Sequence, residues 1–238
     1  MKLDILAFGS HPDDVELSCS GTLLRQVSLG NKVGIIDLTQ GELGTRGSAD
    51  LRLKEAAKAA KIIGSQIRDN LKMSDGFFLN DKEHQLQVIT KIRQYRPEIV
   101  LCNAIRDRHP DHSKGAHLVA DSCFLSGLTK IETKLNGKKQ DVWRPKVVYN
   151  YIQYWSIEPS FIIDISKFMD KKMLTIKAFS SQFHDPTSKE PMTLIAQPNF
   201  LEEVKHRAED LGRIIGVKYA EGFVAHRYIG VKNLFDLV

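Results

Sequence analysis

No apolar run in this sequence approaches the roughly 18 residues needed to cross a bilayer, so a membrane-spanning helix is not expected. Near the start, Leu3, Ile5 and Leu6 give way at once to the polar stretch Gly9 to Asp14, without the long apolar core or cleavage site of an export signal. Cysteine is scarce: Cys19, Cys102 and Cys123 lie far apart in apolar surroundings and none begins a CxxC pair, which suits buried thiols in a reducing, cytoplasmic compartment. The turn GSHPDD lacks the GxGxxG of a dinucleotide fold, and the glycines between Thr39 and Arg52 do not have P-loop spacing. Six basic residues, Lys130, Lys134, Lys138, Lys139, Arg144 and Lys146, carry much of the net charge of +5, but only one aromatic, Trp143, lies among them and no groove-binding module contains them. Nucleic acid is therefore not expected as a partner; the run solvates a loop or attracts an anionic substrate.

What is present is an ordinary globular composition, 42% hydrophobic and 26% charged over 238 residues, enough for one or two domains. Strands are expected at Lys2 to Gly9, Lys32 to Leu38, Glu98 to Cys102, Val147 to Tyr154 and Phe161 to Ile165. Helices are expected at Leu17 to Leu29, Asp50 to Ile63, Lys82 to Tyr95, Pro110 to Phe124, Lys167 to Phe179 and Phe200 to Ile214. Strand, helix, strand order implies a mostly parallel sheet covered by helices, a Rossmann-like three-layer α/β fold with a C-terminal elaboration. No repeat or linker divides the chain, so residues 1–238 read as one domain, with 127–185 as a substrate-lobe elaboration.

Two polar clusters follow apolar strands: SHPDDVE, Ser10 to Glu16, and RDRHPDH, Arg106 to His112. Open parallel sheets bind ligands beyond the carboxyl ends of their strands, so the fold can bring the two together. The pool is His11, Asp13, Asp14, His109, Asp111 and His112. His11, Asp14 and His112 draw on both clusters and make a two-imidazole, one-carboxylate set for zinc, although iron also accepts such a set. Adjacent carboxylates diverge, leaving Asp13 to face water as a base. His109 remains for a substrate atom, with Asp111 to accept its other ring proton and favour the imidazolium. The structural alternative is that each HPD is only a helix start, with Pro12 and Pro110 in the first turn and Asp13 and Asp111 as caps.

HPDD at His11 to Asp14 and HPDH at His109 to His112, with TQGELGTRG at Thr39 to Gly47, Arg52, Glu55 and FSSQF at Phe179 to Phe183, resemble the LmbE-like, or PIG-L, family of zinc-dependent N-acetylglucosamine deacetylases. The likeness is greatest to the bacillithiol-biosynthesis branch, which acts on N-acetylglucosaminyl malate. The resemblance implies zinc on His11, Asp14 and His112, Asp13 as general base, His109 assisting the tetrahedral intermediate and Asp111 orienting it. It also implies a small anionic amino-sugar conjugate as substrate and a homo-oligomer, often a hexamer. Ser10 stands where the family motif usually has alanine.

Candidate substrate contacts are Glu42, Arg46 and Arg52 on the glycine-rich segment, Tyr151 on the aromatic strand YNYIQYW, and Gln182, His184 and His226. Arg52 is expected either to meet a substrate carboxylate or to face Glu55 or solvent. A hydrolase of another small N-acetyl sugar or N-acyl amine would use the same machinery. A non-enzymatic Rossmann-like binding protein is the competing class.

Overall fold

The computed structural model describes residues 1–237. Its main sheet is built from β1 (Ile5–Gly9), β2 (Val33–Thr39), β3 (Ile67–Met73), β4 (Ile99–Cys102), β7 (Val147–Tyr151), β8 (Phe161–Asp164) and β9 (Ala220–Ala225), in the order β3-β2-β1-β4-β7-β9-β8. The pairs from β3 through β7 are parallel, whereas β9 runs antiparallel to both β7 and β8. A two-stranded hairpin, β5 (Lys134–Leu135) with β6 (Lys138–Lys139), stands apart from it.

Both faces of the sheet are covered, so β1 and β2 are buried along their whole length and read as near-continuous apolar runs. Alternation then divides β1 between two cores. Leu6 and Phe8 meet α3 (Lys82–Tyr95) and α4 (Pro110–Leu125) through Val88, Ile92, Leu118 and Val119. Ile5 and Ala7 meet α1 (Asp14–Ser28) through Val15, Cys19 and Leu23 on the other side. A third cluster joins α2 (Ala49–Ile63), α5 (Met169–Lys177) and α6 (Phe200–Ile214). The three-layer α/β architecture is as the sequence implied, and the helices over 82–95 and 200–214 keep their expected bounds.

Three differences have physical causes. The strand expected to reach Tyr154 stops at Tyr151, because the backbone amides of Tyr154 and Trp155 donate to Asp107 instead of a neighbouring strand. The helix expected from Leu17 starts at Asp14, so the first polar motif forms its opening turn. β3 and β9 escape the sequence reading: IRDNLKM is a half-buried edge strand with charged residues, and AEGFVA is interrupted by Gly222.

A buried ion pair ties the C-terminal strand to α1. Lys172, only 2% exposed, sits 2.6 Å from Glu221, whose carboxylate accepts from Gly21 N and Thr22 N while Lys172 donates to Leu17 O. An inserted side chain therefore occupies the middle of α1's hydrogen-bond ladder. The six basic residues between Lys130 and Lys146 are all exposed, and none of them lines the cavity described next.

Candidate metal and catalytic site

The turn after β1 and the loop after β4 meet where the strand order reverses, the crevice expected for ligands in such sheets. Gly9 permits the first turn: a Cβ there would lie 3.0 Å from His11 O and 3.2 Å from Asp14 Cβ. Ser10 joins the two motifs, its hydroxyl 2.8 Å from Asp111 O and 3.1 Å from Asn103 Oδ1. Above them opens a cavity of about 410 Å³ lined by His11, Asp13, Asp14, His109 and His112 among others.

The ring nitrogens are assigned by their partners. His11 Nε2 faces Asp75 at 3.0 Å and Asp111 at 3.4 Å, which leaves Nδ1 toward Asp14 at 3.6 Å. His112 Nδ1 lies 2.5 Å from Asp107, which leaves Nε2 toward Asp14 at 3.1 Å. Carboxylates behind both rings thus point one free nitrogen of each at Asp14, the arrangement that fixes metal-binding imidazoles. Asp14 is itself held by His11 N, Asn103 Nδ2 and Gln153 Nε2. Among the described residues, the sets whose ligand atoms all lie within 4.8 Å of one another are His11, His109 and His112, and His11, Asp75 and Asp111, while Asp14 reaches the two rings through different carboxylate oxygens. Imidazole nitrogens converging among buried carboxylates fit a divalent cation such as zinc or iron(II).

Charge preference agrees. Burial disfavours a charged His11, but Asp111, Asp14 and Asp75 outweigh it and hold its pKa well above the ordinary value. His112, opposed by burial and favoured by Asp14 and Asp107, is pushed up to about 9. These positions favour positive charge.

Asp13 is strained. Its φ of 118° lies where side chains other than glycine are disfavoured, and it precedes α1 without capping it. Arg52 holds it there, donating to Asp13 Oδ2 at 3.0 Å and also to Pro12 O. Burial raises the Asp13 pKa to about 6, with Arg52 opposing the rise. His109 is the N-cap of α4, and its Nδ1 accepts from Asp111 N at 3.2 Å, leaving Nε2 as the N–H. Burial, then the positive charge of His11 and His112, lowers its pKa to about 4.

Two expectations need correction. Asp111 does not orient His109 with its carboxylate, which goes instead to Gly76 N, Lys114 and His11; its backbone amide does so. His109 is accordingly a neutral donor rather than an imidazolium. As for the substrate candidates, Arg52 and Gln182 line the cavity, although Arg52 is taken up by Asp13 rather than by Glu55. Arg46 is buried and donates to Ser181 O and Pro191 O, and Gln182 donates to Arg46 O, so these residues clamp the glycine-rich loop to the segment after α5. Glu55 completes the clamp through Ser180 and Ser181. Glu42 is outside the cavity and accepts from Asp75 N. Tyr151 is fully buried, its hydroxyl donating to Phe8 O. His184 is exposed elsewhere, and His226 pairs with Asn150 in a different cleft.

Sequence reasoning missed Asp75, Asn103 and Gln153 as supports of the centre, and Arg207 on α6 as a cavity residue. Asp107 stood within RDRHPDH, five residues before its partner His112, but spacing alone does not distinguish it from Arg106 and Arg108 as a loop residue.

Known proteins resemble this chain in sequence and in fold. The PIG-L family, described as GlcNAc-PI de-N-acetylase, matches residues 6–123. Diacetylchitobiose deacetylase of Thermococcus kodakarensis is 27% identical over 231 residues, covering 92% of this chain and 81% of that protein. The conserved protein TT1542 from Thermus thermophilus superposes with a TM-score of 0.86 at 33% identity, covering 98% of each chain. The 4-carboxy-2-hydroxymuconate hydratase GalB of Pseudomonas putida shares the fold at 20% identity, with a TM-score of 0.78 over 98% of this chain and 100% of that one.

Proposed function

This chain belongs to the PIG-L, or LmbE-like, deacetylase family, and we propose that it hydrolyses the acetamide of a small N-acetyl sugar, releasing acetate and a free amine. The observation that carries the reading is Asp13: a strained carboxylate of raised pKa, held by Arg52 beside the convergent set of His11, Asp14 and His112. The hydratase likeness shows that the fold alone does not choose a reaction. An ionisable base next to a metal-ligand set does narrow it to attack by activated water.

His11 through Nδ1, Asp14, and His112 through Nε2 would hold the metal. When bound, zinc would acidify water and polarise the acetamide carbonyl. Asp13 takes the proton from the attacking water and returns it to the departing nitrogen. The Nε2–H of His109 donates to the oxygen that gains negative charge as the carbonyl becomes tetrahedral. Water is consumed, and the C–N bond breaks to give acetate and amine.

A finer reading, N-acetylglucosaminyl malate as the substrate, has its own support. Arg108 and Arg207 both line the cavity, and neither has a carboxylate within ion-pair distance among the described residues; Arg207 donates only to Gln153 O. An acidic substituent on the sugar would neutralise them.

The test is acetate release from N-acetylglucosamine, diacetylchitobiose and N-acetylglucosaminyl malate, before and after chelation and zinc restoration. Metal-dependent release from any of them supports the deacetylase, and preference for the malate conjugate supports the finer reading. A folded, zinc-loaded protein that releases acetate from none overturns both.

A further inference from the structure

Leu43 and Phe77 are 63% and 75% exposed, yet both line the cavity that contains His11 and Asp13. The chain treats two adjacent phenylalanines in opposite ways: Phe78 is fully buried under Lys114, whereas Phe77 is held out at the cavity mouth. Its loop is fastened on every side. Asp75 N donates to Glu42 and Phe77 N to Ser74 O, while Gly76 N donates to Asp111 and Lys114 donates to Gly76 O. Leu43 N donates to Asp75 Oδ2 at 3.0 Å, which joins the two apolar residues' loops.

The same Asp75 and Asp111 that anchor this rim also face His11 Nε2. Phe77 is two residues from Asp75, so their Cα atoms are at most about 7 Å apart. The exposed ring therefore borders the same cavity of about 410 Å³ as His11, Asp13 and Asp14, a volume that admits a pyranose ring. A hexopyranose presents C–H bonds on its faces and hydroxyls at its edges, and polarised C–H groups pack favourably on the electron-rich face of an aromatic ring. We propose that Phe77, flanked by Leu43, is a preformed platform for the C–H face of the N-acetylhexosamine ring, making it a specificity-determining contact for cyclic amino sugars. This inference rests on the deacetylase reading for its choice of ligand.

The test uses titration calorimetry with diacetylchitobiose on the zinc-loaded full-length protein carrying Asp13→Asn to prevent turnover. Phe77→Ser should raise Kd about tenfold and Phe77→Trp should restore it to within about threefold, the scale of one lost and regained stack. Zinc content should be the same in all three. Unchanged affinity in Phe77→Ser overturns the proposal, as does absence of sugar binding in the parent. So does a change of solution mass in Phe77→Ser, which would make the rim a subunit interface. Acetate release by the wild type separates this result from the reaction itself: Phe77-dependent binding without release keeps the platform and removes the hydrolase, while release with a KM indifferent to Phe77 does the reverse.

Discussion

Replacing Asp107 by asparagine should cost metal affinity through a tautomer. Asp107 Oδ1 accepts from Tyr154 N and Trp155 N at 3.0 and 2.8 Å, and Oδ2 faces His112 Nδ1 at 2.5 Å. In Asp107→Asn the amide oxygen stays beneath the two backbone donors, so the amide NH2 turns to His112. Nδ1 must then accept, and the ring proton moves to Nε2, the nitrogen 3.1 Å from Asp14. A protonated Nε2 cannot ligate. Restoring the other tautomer sets an N–H against an NH2, a loss of about 10- to 100-fold in zinc affinity, or about 1.4–2.7 kcal/mol. Competition against a chromophoric chelator measures it. Asp107→Ala should also lose zinc, and in addition about 1–3 kcal/mol of folding stability for each backbone amide left without an acceptor. Wild-type zinc affinity in the asparagine variant would refute both the assignment of Nε2 as the ligand and the role of Asp107.

Because Asp13 must be ionised to accept a proton and its pKa is raised to about 6, kcat/KM should be level above that pH and fall tenfold per unit below it. Asp13→Asn should lower kcat by about 10²- to 10⁴-fold at unchanged zinc content, while removing His11 should lower both; equal metal loss would contradict the division of roles. Lys172→Met strands the buried Glu221 carboxylate and should cost about 3–5 kcal/mol in urea denaturation, and a cost below about 1 kcal/mol would show the pair to be solvated. Gly41 has φ +65°, and a Cβ there would run into Arg52 Nη1; Gly41→Ala should push Arg52 off Asp13 and lower kcat about 100-fold with zinc retained, as assayed by acetate release and metal analysis.

The parts of the centre legible in the sequence are those carried by short polar runs after apolar strands. SHPDDVE and RDRHPDH named the ligand candidates, because strand-end placement follows from chain order alone. What lay hidden were contacts between distant segments. Asp75 follows an edge strand whose half-polar pattern conceals it, and Gln153, two residues beyond the end of β7, reaches Asp14 from a distant part of the chain. Arginines were the hardest to place. Arg46 and Arg52 looked available for a substrate, yet the fold gives one to backbone carbonyls and the other to Asp13, while Arg207, on an amphipathic helix with an ordinary charge pattern, reaches the cavity. Sequence shows which side chains can carry charge; packing decides which of them have a partner already.

The ion pair inserted into α1 bears on how the molecule can be divided. Residues 6–123 contain every proposed metal ligand and the base, and by motif alone they would pass for a portable catalytic module. Glu221 and Lys172, however, occupy backbone groups of the helix that begins at Asp14, and Gln153 holds Asp14 directly. Excision of the first half would expose those amides and carbonyl to solvent and remove a support of the metal ligand. The chemistry is written in one half of the chain and braced by the other, so swaps of substrate specificity have to be made as loop grafts that leave these three braces in place.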